Sequence, residues 1–241
     1  MQAVVLAAGI STRLRPLTNN LPKPMLPVCG RPMIEHIVRQ LAAYGFHEVI
    51  ITTHYRAERI RDHLGDGASF GVNIAYAHEN ALMNTAGSLK RLADTIRDDF
   101  MVIGGNDFLP TLDLHDFIRF HKTRGGIGTI AFKRLKDNVL LPLFGQGLLD
   151  NDNRLIAFEE KPERNLSSLV HTTYQIYDPR VLDYIPAGIS CSIPEYLIRR
   201  TLMAGEKIYG YETDSPFICI STKEQYENAQ AQLADAMNSP T

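Results

Sequence analysis

A glycine followed closely by two hydroxyl residues, two arginines and a proline-flanked lysine could hold phosphate. In this 241-residue chain those residues are Gly9, Ser11, Thr12, Arg13, Arg15 and Lys23. Gly9 lets a ligand approach the backbone, and successive backbone N–H groups there can form an anion-binding nest. Arg13 offers a planar fork that stays charged. Lys23 stands between Pro22 and Pro24; proline fixes its own φ and restricts the residue before it, so the lysine has a stiff support. The same residues would also suit a solvated basic surface loop, and neither G-x-x-x-x-G-K-S/T nor G-x-G-x-x-G is present. Further along, an apolar run ends in Gly104-Gly105-Asn106-Asp107. That would bring the Asp107 carboxylate out at a strand's carboxyl end; a turn aspartate is the other reading. Glu159-Glu160-Lys161 closes another strand-like run and reads by itself as a solvated strand end.

The elements that would position these groups alternate. Gln2–Ala7 is a short apolar run, as in a buried strand, ended by Ala8-Gly9. Ile10–Pro27 is a long polar loop, and loops of that length are usually functional or disordered. Met33, Ile34, Ile37, Val38 and Leu41 share one helical face over Pro32–Tyr44, closed by Gly45. Strands are expected at Glu48–Thr53, Val72–Tyr76 and Phe100–Ile103. Helices are expected through Ile60 and Leu64, over Ala86–Leu92, and over Leu114–His121 with Asp113 as its cap. Such alternation implies a mostly parallel, doubly wound α/β sheet. From Gly128 the pattern changes. Strands Thr129–Lys133, Gly147–Leu149, Leu155–Glu159, Thr173–Tyr177, Ile208–Tyr211 and Phe217–Ile220 are expected, with helices near Ile193–Met203 and Lys223–Met237. No linker and no repeat is visible, so one domain over 1–241 is the expectation, its N-terminal half parallel and its C-terminal half mixed. Ligands in open α/β sheets bind beyond the carboxyl ends of strands, where Ala8–Lys23 falls.

Bulk numbers narrow the classes. Hydrophobic residues make up 44% and charged residues 22%, an ordinary globular composition. A net charge of −2 points to neither a nucleic-acid surface nor a membrane patch. No apolar run approaches the roughly 20 residues that span a bilayer. Cys29, Cys191 and Cys219 form no C-x-x-C pair and are odd in number, which suits a reducing, cytoplasmic setting.

Val4–Val28, VVLAAGISTRLRPLTNNLPKPMLPV, resembles the signature of the sugar-1-phosphate nucleotidylyltransferases, roughly A-G-G-x-G-T-R-L/M-x-P-L-T followed after a few residues by P-K-P/A-M/L-L/V-P-V/I. Gly65–Gly71 (GDGASFG), Asn84–Gly87, Phe158–Pro162 (FEEKP) and Thr222–Ala229 are similar to later family segments, so the likeness covers essentially the whole length. It implies a Rossmann-like fold of the nucleotide-diphospho-sugar transferase kind. It also implies transfer of NMP from an NTP to a sugar 1-phosphate, with Mg²⁺ as cofactor. By that likeness Leu6, Ala8, Gly9, Ser11, Thr12, Arg13, Ala86, Gly87 and Asn106 would bind the nucleotide. Arg13, Lys23 and Asp107 would carry catalysis: Arg13 stabilises the pyrophosphate, Lys23 neutralises the α-phosphate, and Asp107 holds the metal. Glu160, Lys161, Asn165 and Thr173, with Thr172 beside them, would bind the sugar phosphate. Lys23 and Asp107 are expected at an open site rather than in the core. The partners implied are these two substrates, with no nucleic acid and no membrane; homo-oligomerisation is left open. The donor reads as guanylyl- or uridylyl-type, for want of a glutamine-rich thymidylyl loop.

Four positions depart from the pattern. Ser11 replaces a glycine, Asn84 replaces the first glycine of G-T-A-G, and Thr173 replaces the glycine of N-A-G. Cys219 stands at the second metal aspartate, where a thiol is a poor Mg²⁺ ligand; Asp214, upstream, is a candidate substitute. Two alternatives therefore stay open: a nucleotide- or nucleotide-sugar-binding regulatory protein without turnover, and cytidylyl-type transfer to a non-sugar phosphate.

Overall fold

The computed structural model describes residues 1–238. Its contacts gather into two compact units. One takes Met1–Leu82, Ile103–Thr111 and the chain from Ser215 on; the other takes Met83–Val102 and Leu112–Asp214.

In the first unit, strands Gln2–Leu6, Glu48–Thr53 and Asn73–His78 run parallel, with Ala3 opposite Val49 and Glu48 opposite Asn73. Gln2–Leu6 is buried through its centre, as a strand covered on both faces must be. Helix Met33–Ala43 buries Ile34, Ile37, Val38 and Leu41 completely, the stripe that its spacing predicts. Helix Ala57–Leu64 buries Ile60 and Leu64 and closes at Gly65. The expected polar loop contains two short 3₁₀ turns, Thr12–Leu14 and Lys23–Met25. Two tiny antiparallel pairs form: Pro27–Val28 with Arg31–Pro32, neither expected, and Asp107–Phe108, not expected, with Ile218–Cys219, which lies within the strand expected at Phe217–Ile220. Each strand is two residues long, too short to show a period. Helix Lys223–Asn238 is pinned by Gln230, whose Oε1 accepts from Cys29 N (2.7 Å) and whose Nε2 donates to Pro27 O (2.9 Å).

In the second unit the sheet is mixed. Strand Leu169–Tyr177 runs antiparallel to Phe100–Val102 and to Gly128–Arg134, with an irregularity between His171 and Gln175. Strand Ile208–Thr213 runs parallel to Gly128–Arg134, and Gln146–Leu149 pairs antiparallel with Leu155–Glu159. Helix Leu114–Arg124 starts at Asp113, whose carboxylate accepts from the backbone N–H of His115 and Asp116. The segment expected as one helix near Ile193–Met203 is a π-helical turn, Ile193–Ile198, continuing into a short α-helix, Arg199–Met203. No helix among the described residues is long and apolar enough to cross a membrane.

Candidate active site

The first unit carries the phosphate-type residues. Beyond strand Gln2–Leu6 the chain is tied back when Ala7 N donates to Thr52 O. Gly9 then stands exposed; a Cβ added there would meet only Ser11 Oγ, at 3.9 Å. Ser11 is left-handed, φ 54 and ψ 52, so the serine adopts the backbone that a glycine would take at lower cost. Its carbonyl accepts from Leu14 N (3.3 Å) and from the buried Thr18 hydroxyl (2.9 Å). Leu14 is buried and anchors the turn, which leaves Thr12 and Arg13 exposed beside it. Lys23 is half-buried and opens the second turn, with Pro22 as its cap. Ser11, Thr12, Arg13, Leu14, Lys23 and Ser221 line a cleft of about 210 Å³.

Gly105 explains how Asp107 comes near this loop. Its N–H donates to Leu6 O (2.9 Å). A Cβ there would lie 3.1 Å from Pro24 Cγ and 3.3 Å from Ala7 Cβ, so glycine lets this strand end press against the lysine turn without crowding it. Asp107 is 4% exposed, which corrects the expectation of an open position: the two-residue pairing with Ile218–Cys219 covers it. Asn106 Nδ2 donates to Asp107 Oδ1 (2.6 Å), and Cys219 sits directly across the pair from Asp107. Burial first, and then the Asp107 carboxylate, push the Cys219 thiol well above its ordinary range, against the opposing charge of Lys23. The thiol therefore keeps its proton and hydrogen-bonds Asp107, with its sulfur 3.2 Å from Ser221 Oγ. A thiol is in any case a soft group and a poor ligand for Mg²⁺. Among the described residues no group of three or more His, Cys, Asp and Glu is placed to hold a metal. The donor set here is one carboxylate, which fits an ion completed by phosphate oxygens and water. Ser221 is a lining residue that the sequence reading missed.

The second unit carries Ala86 and Gly87 and the acceptor-type residues. Ala86 and Gly87 are buried in helix Asn84–Lys90, and both backbone N–H groups donate to Cys191 O (2.9 and 3.1 Å). A Cβ on Gly87 would lie 2.8 Å from Ile189 O, so close packing alone requires glycine there. Asn84 starts the helix at φ 59, a conformation that asparagine tolerates. Glu160 is half-buried and Lys161 exposed, 3.5 Å apart. Lys161 has φ 48, an unusual backbone of the kind that clusters at functional sites. Burial raises the Glu160 carboxyl above its ordinary value, with Lys161 opposing and Glu195 adding to the rise. Asn165 is exposed, and its Oδ1 accepts from Gln146 Nε2 (3.2 Å). Thr172 is fully buried, its hydroxyl given to Ala131 O (2.8 Å); Thr173 beside it is half-buried. Asp214 is exposed in this unit, its carbonyl accepting from Lys133 Nζ.

The sequence profile of the nucleotidyl transferase family matches residues 2–195. The chain is 32% identical to a UTP–glucose-1-phosphate uridylyltransferase of Synechocystis sp., over 95% of this chain and 62% of that one. It is also 32% identical to a mannose-1-phosphate guanylyltransferase of Mycobacterium tuberculosis, over 97% of this chain and 64% of that one. The chain thus spans less than two thirds of the length of these relatives. A solved structure from Bacillus anthracis, described as a candidate glucose-1-phosphate thymidylyltransferase in complex with sucrose, superposes with a TM-score of 0.87 at 24% identity, covering 100% of this chain and 97% of that one. That likeness shows the fold.

Proposed function

The chain belongs to the nucleotidyl transferase family, and from that we propose that it joins a nucleoside triphosphate to a sugar 1-phosphate, giving an NDP-sugar and pyrophosphate. The observation that carries this reading is the cleft of Ser11, Thr12, Arg13 and Lys23, with a buried carboxylate, Asp107, on the segment packed against the lysine turn. A phosphate oxygen of the sugar phosphate attacks the α-phosphorus as the bond to the β-phosphate oxygen breaks. Most of the catalytic demand is alignment and charge neutralisation. Gly9 and the Ile10–Thr12 backbone hold the triphosphate. Arg13 takes charge on the leaving pyrophosphate, and Lys23 takes charge on the α-phosphate as it develops. Leu6, Ala8, Asn106, Ala86 and Gly87 complete the nucleotide contacts. Glu160, Lys161, Asn165 and Thr173 hold the sugar phosphate. We read Asp107 as the one protein carboxylate for Mg²⁺, which when bound supplies charge neutralisation at the phosphates. We read residues 1–241 as a single catalytic domain, and the donor as GTP or UTP, the nucleotides of the two relatives above.

A panel of NTPs crossed with sugar 1-phosphates, read by Mg²⁺-dependent pyrophosphate release, tests the reading. One productive pair is expected. Lys23→Ala and Asp107→Asn should each lower that turnover by about 10²–10³ while the fold persists; wild-type rates in both would remove the site assignment. Cys219 opposite Asp107 favours a second reading, binding without turnover. Nucleotide binding with no pyrophosphate release from any pair is its signature.

A further inference from the structure

Strand Leu169–Tyr177 carries a polar chain that the phosphate cleft and the Glu160–Lys161 pair leave unexplained. The Tyr177 hydroxyl lies 2.5 Å from Gln175 Oε1, and Gln175 Nε2 lies 2.9 Å from His171 Nε2. Tyr177 is fully buried, so its O–H must have an acceptor. Gln175 Oε1 is that acceptor, which turns the amide N–H toward His171. His171 Nε2 then accepts, and the proton of the neutral imidazole sits on Nδ1. Burial keeps this imidazole neutral, with a pKa of about 4.

The Nδ1–H has no hydrogen-bond partner among the described residues. No wholly buried side-chain nitrogen or oxygen among those residues lacks a partner, and His171 is part-exposed, so Nδ1 is not completely covered. Phe132 and Phe158 meet the ring edge-on, with centroids 6.5 and 5.6 Å away, and neither can take the proton. The Glu160 carboxylate is linked to this histidine through Gly145. His171 N donates to Gly145 O (2.8 Å). The missing Cβ of Gly145 would lie 2.5 Å from Glu160 Oε2 and 2.6 Å from Phe158 Cζ. His171, Phe158 and Glu160 thus all border Gly145.

We propose that His171 is a specificity-determining residue whose Nδ1–H donates to a hydroxyl oxygen of the acceptor sugar. The proposal rests on the reading of Glu160 and Lys161 as the acceptor site. An imidazole N–H and a carboxylate on residues that border one glycine offer one ligand a donor and an acceptor. Two neighbouring sugar hydroxyls match it, one accepting through its oxygen and one donating its proton. Lys161, a cation, is left for the phosphate.

The test measures kcat and KM for the productive sugar 1-phosphate and its monodeoxy analogues in wild type, His171→Asn and His171→Phe. Asparagine puts an amide N–H near the Nδ1 position; phenylalanine keeps the volume without a donor. The Phe variant should raise KM for the sugar phosphate about tenfold and leave KM for the NTP unchanged. It should show no penalty on one deoxy analogue, and the Asn variant should recover most of the loss. An unchanged KM in the Phe variant, or an equal penalty on every analogue, overturns the proposal. If the Phe variant does not fold, His171→Gln, whose longer amide misses the Nδ1 position, replaces it. If wild type turns over no sugar 1-phosphate, the proposed function has failed, and calorimetric titration of the sugar 1-phosphates decides His171 separately. Weaker binding by the donor-less variant supports it; equal binding, or no binding by wild type, overturns it.

Discussion

Gly9 is a residue whose identity the chain's own packing does not demand. An added Cβ meets nothing nearer than 3.9 Å, and its φ is not left-handed. Gly9→Ala should therefore keep or slightly raise stability, by about 0.4–1 kcal/mol, while weakening NTP binding about tenfold, because only a ligand needs that space. Paired thermal melts and nucleotide titrations check this; a loss of stability that matches the loss of binding would return Gly9 to a structural role. That Arg13 and Lys23 line one cleft was legible because the loop's residue types mark it: a glycine, a fork, a lysine between prolines. Backbone conformation was not. Ser11, Asn84 and Lys161 all have positive φ, which tertiary context imposes and composition does not reveal. His171 was equally invisible: a lone histidine in an apolar strand shows neither its tautomer nor its open N–H.

At the scale of elements, many strands could be placed but their pairing could not. Glu48–Thr53 and Leu155–Glu159 have the expected bounds, since five or six residues suffice to show burial or alternation. The Asp107–Phe108 and Ile218–Cys219 pair joins segments far apart in the chain by two residues each, and only the fold brings them together. That pair predicts the result of Cys219→Asp. A second carboxylate opposite Asp107 adds like-charge repulsion, so the metal-free variant should melt below wild type. Mg²⁺ should then raise its midpoint more than it raises that of wild type. Equal Mg²⁺ responses in melts with and without chelator would show that position 219 does not face the ion. Helix Asn84–Lys90 yields another prediction. Gly87→Ala sets a Cβ 2.8 Å from Ile189 O, a backbone atom that can yield only if its segment shifts. Urea unfolding should show a loss of about 1–3 kcal/mol; an unchanged midpoint would mean that the 189–191 segment moves freely.

For the molecule as a whole, the change from a parallel half to a mixed half was legible as a change of spacing near Gly128. The division into units was not, because one unit gathers three separate stretches of chain and no composition shift marks the crossings. Stability against pH is a property of the whole chain to which one buried group contributes a separable part. Burial lowers the folded-state pKa of His171 from the ordinary 6.5 to about 4. As pH falls below 6.5 the unfolded chain takes up this proton and the folded chain does not. The contribution of His171 is therefore fully present above pH 6.5 and is lost as pH falls toward 4, at up to about 1.4 kcal/mol per pH unit. Other groups also titrate in this window, so the difference between two proteins isolates the effect. His171→Asn removes the titration and keeps an amide donor. Its stability from urea unfolding should fall less than that of wild type between pH 6.5 and pH 4.5, by about 2 kcal/mol. Parallel curves for the two proteins would mean that burial does not lower the pKa of this imidazole in the folded chain.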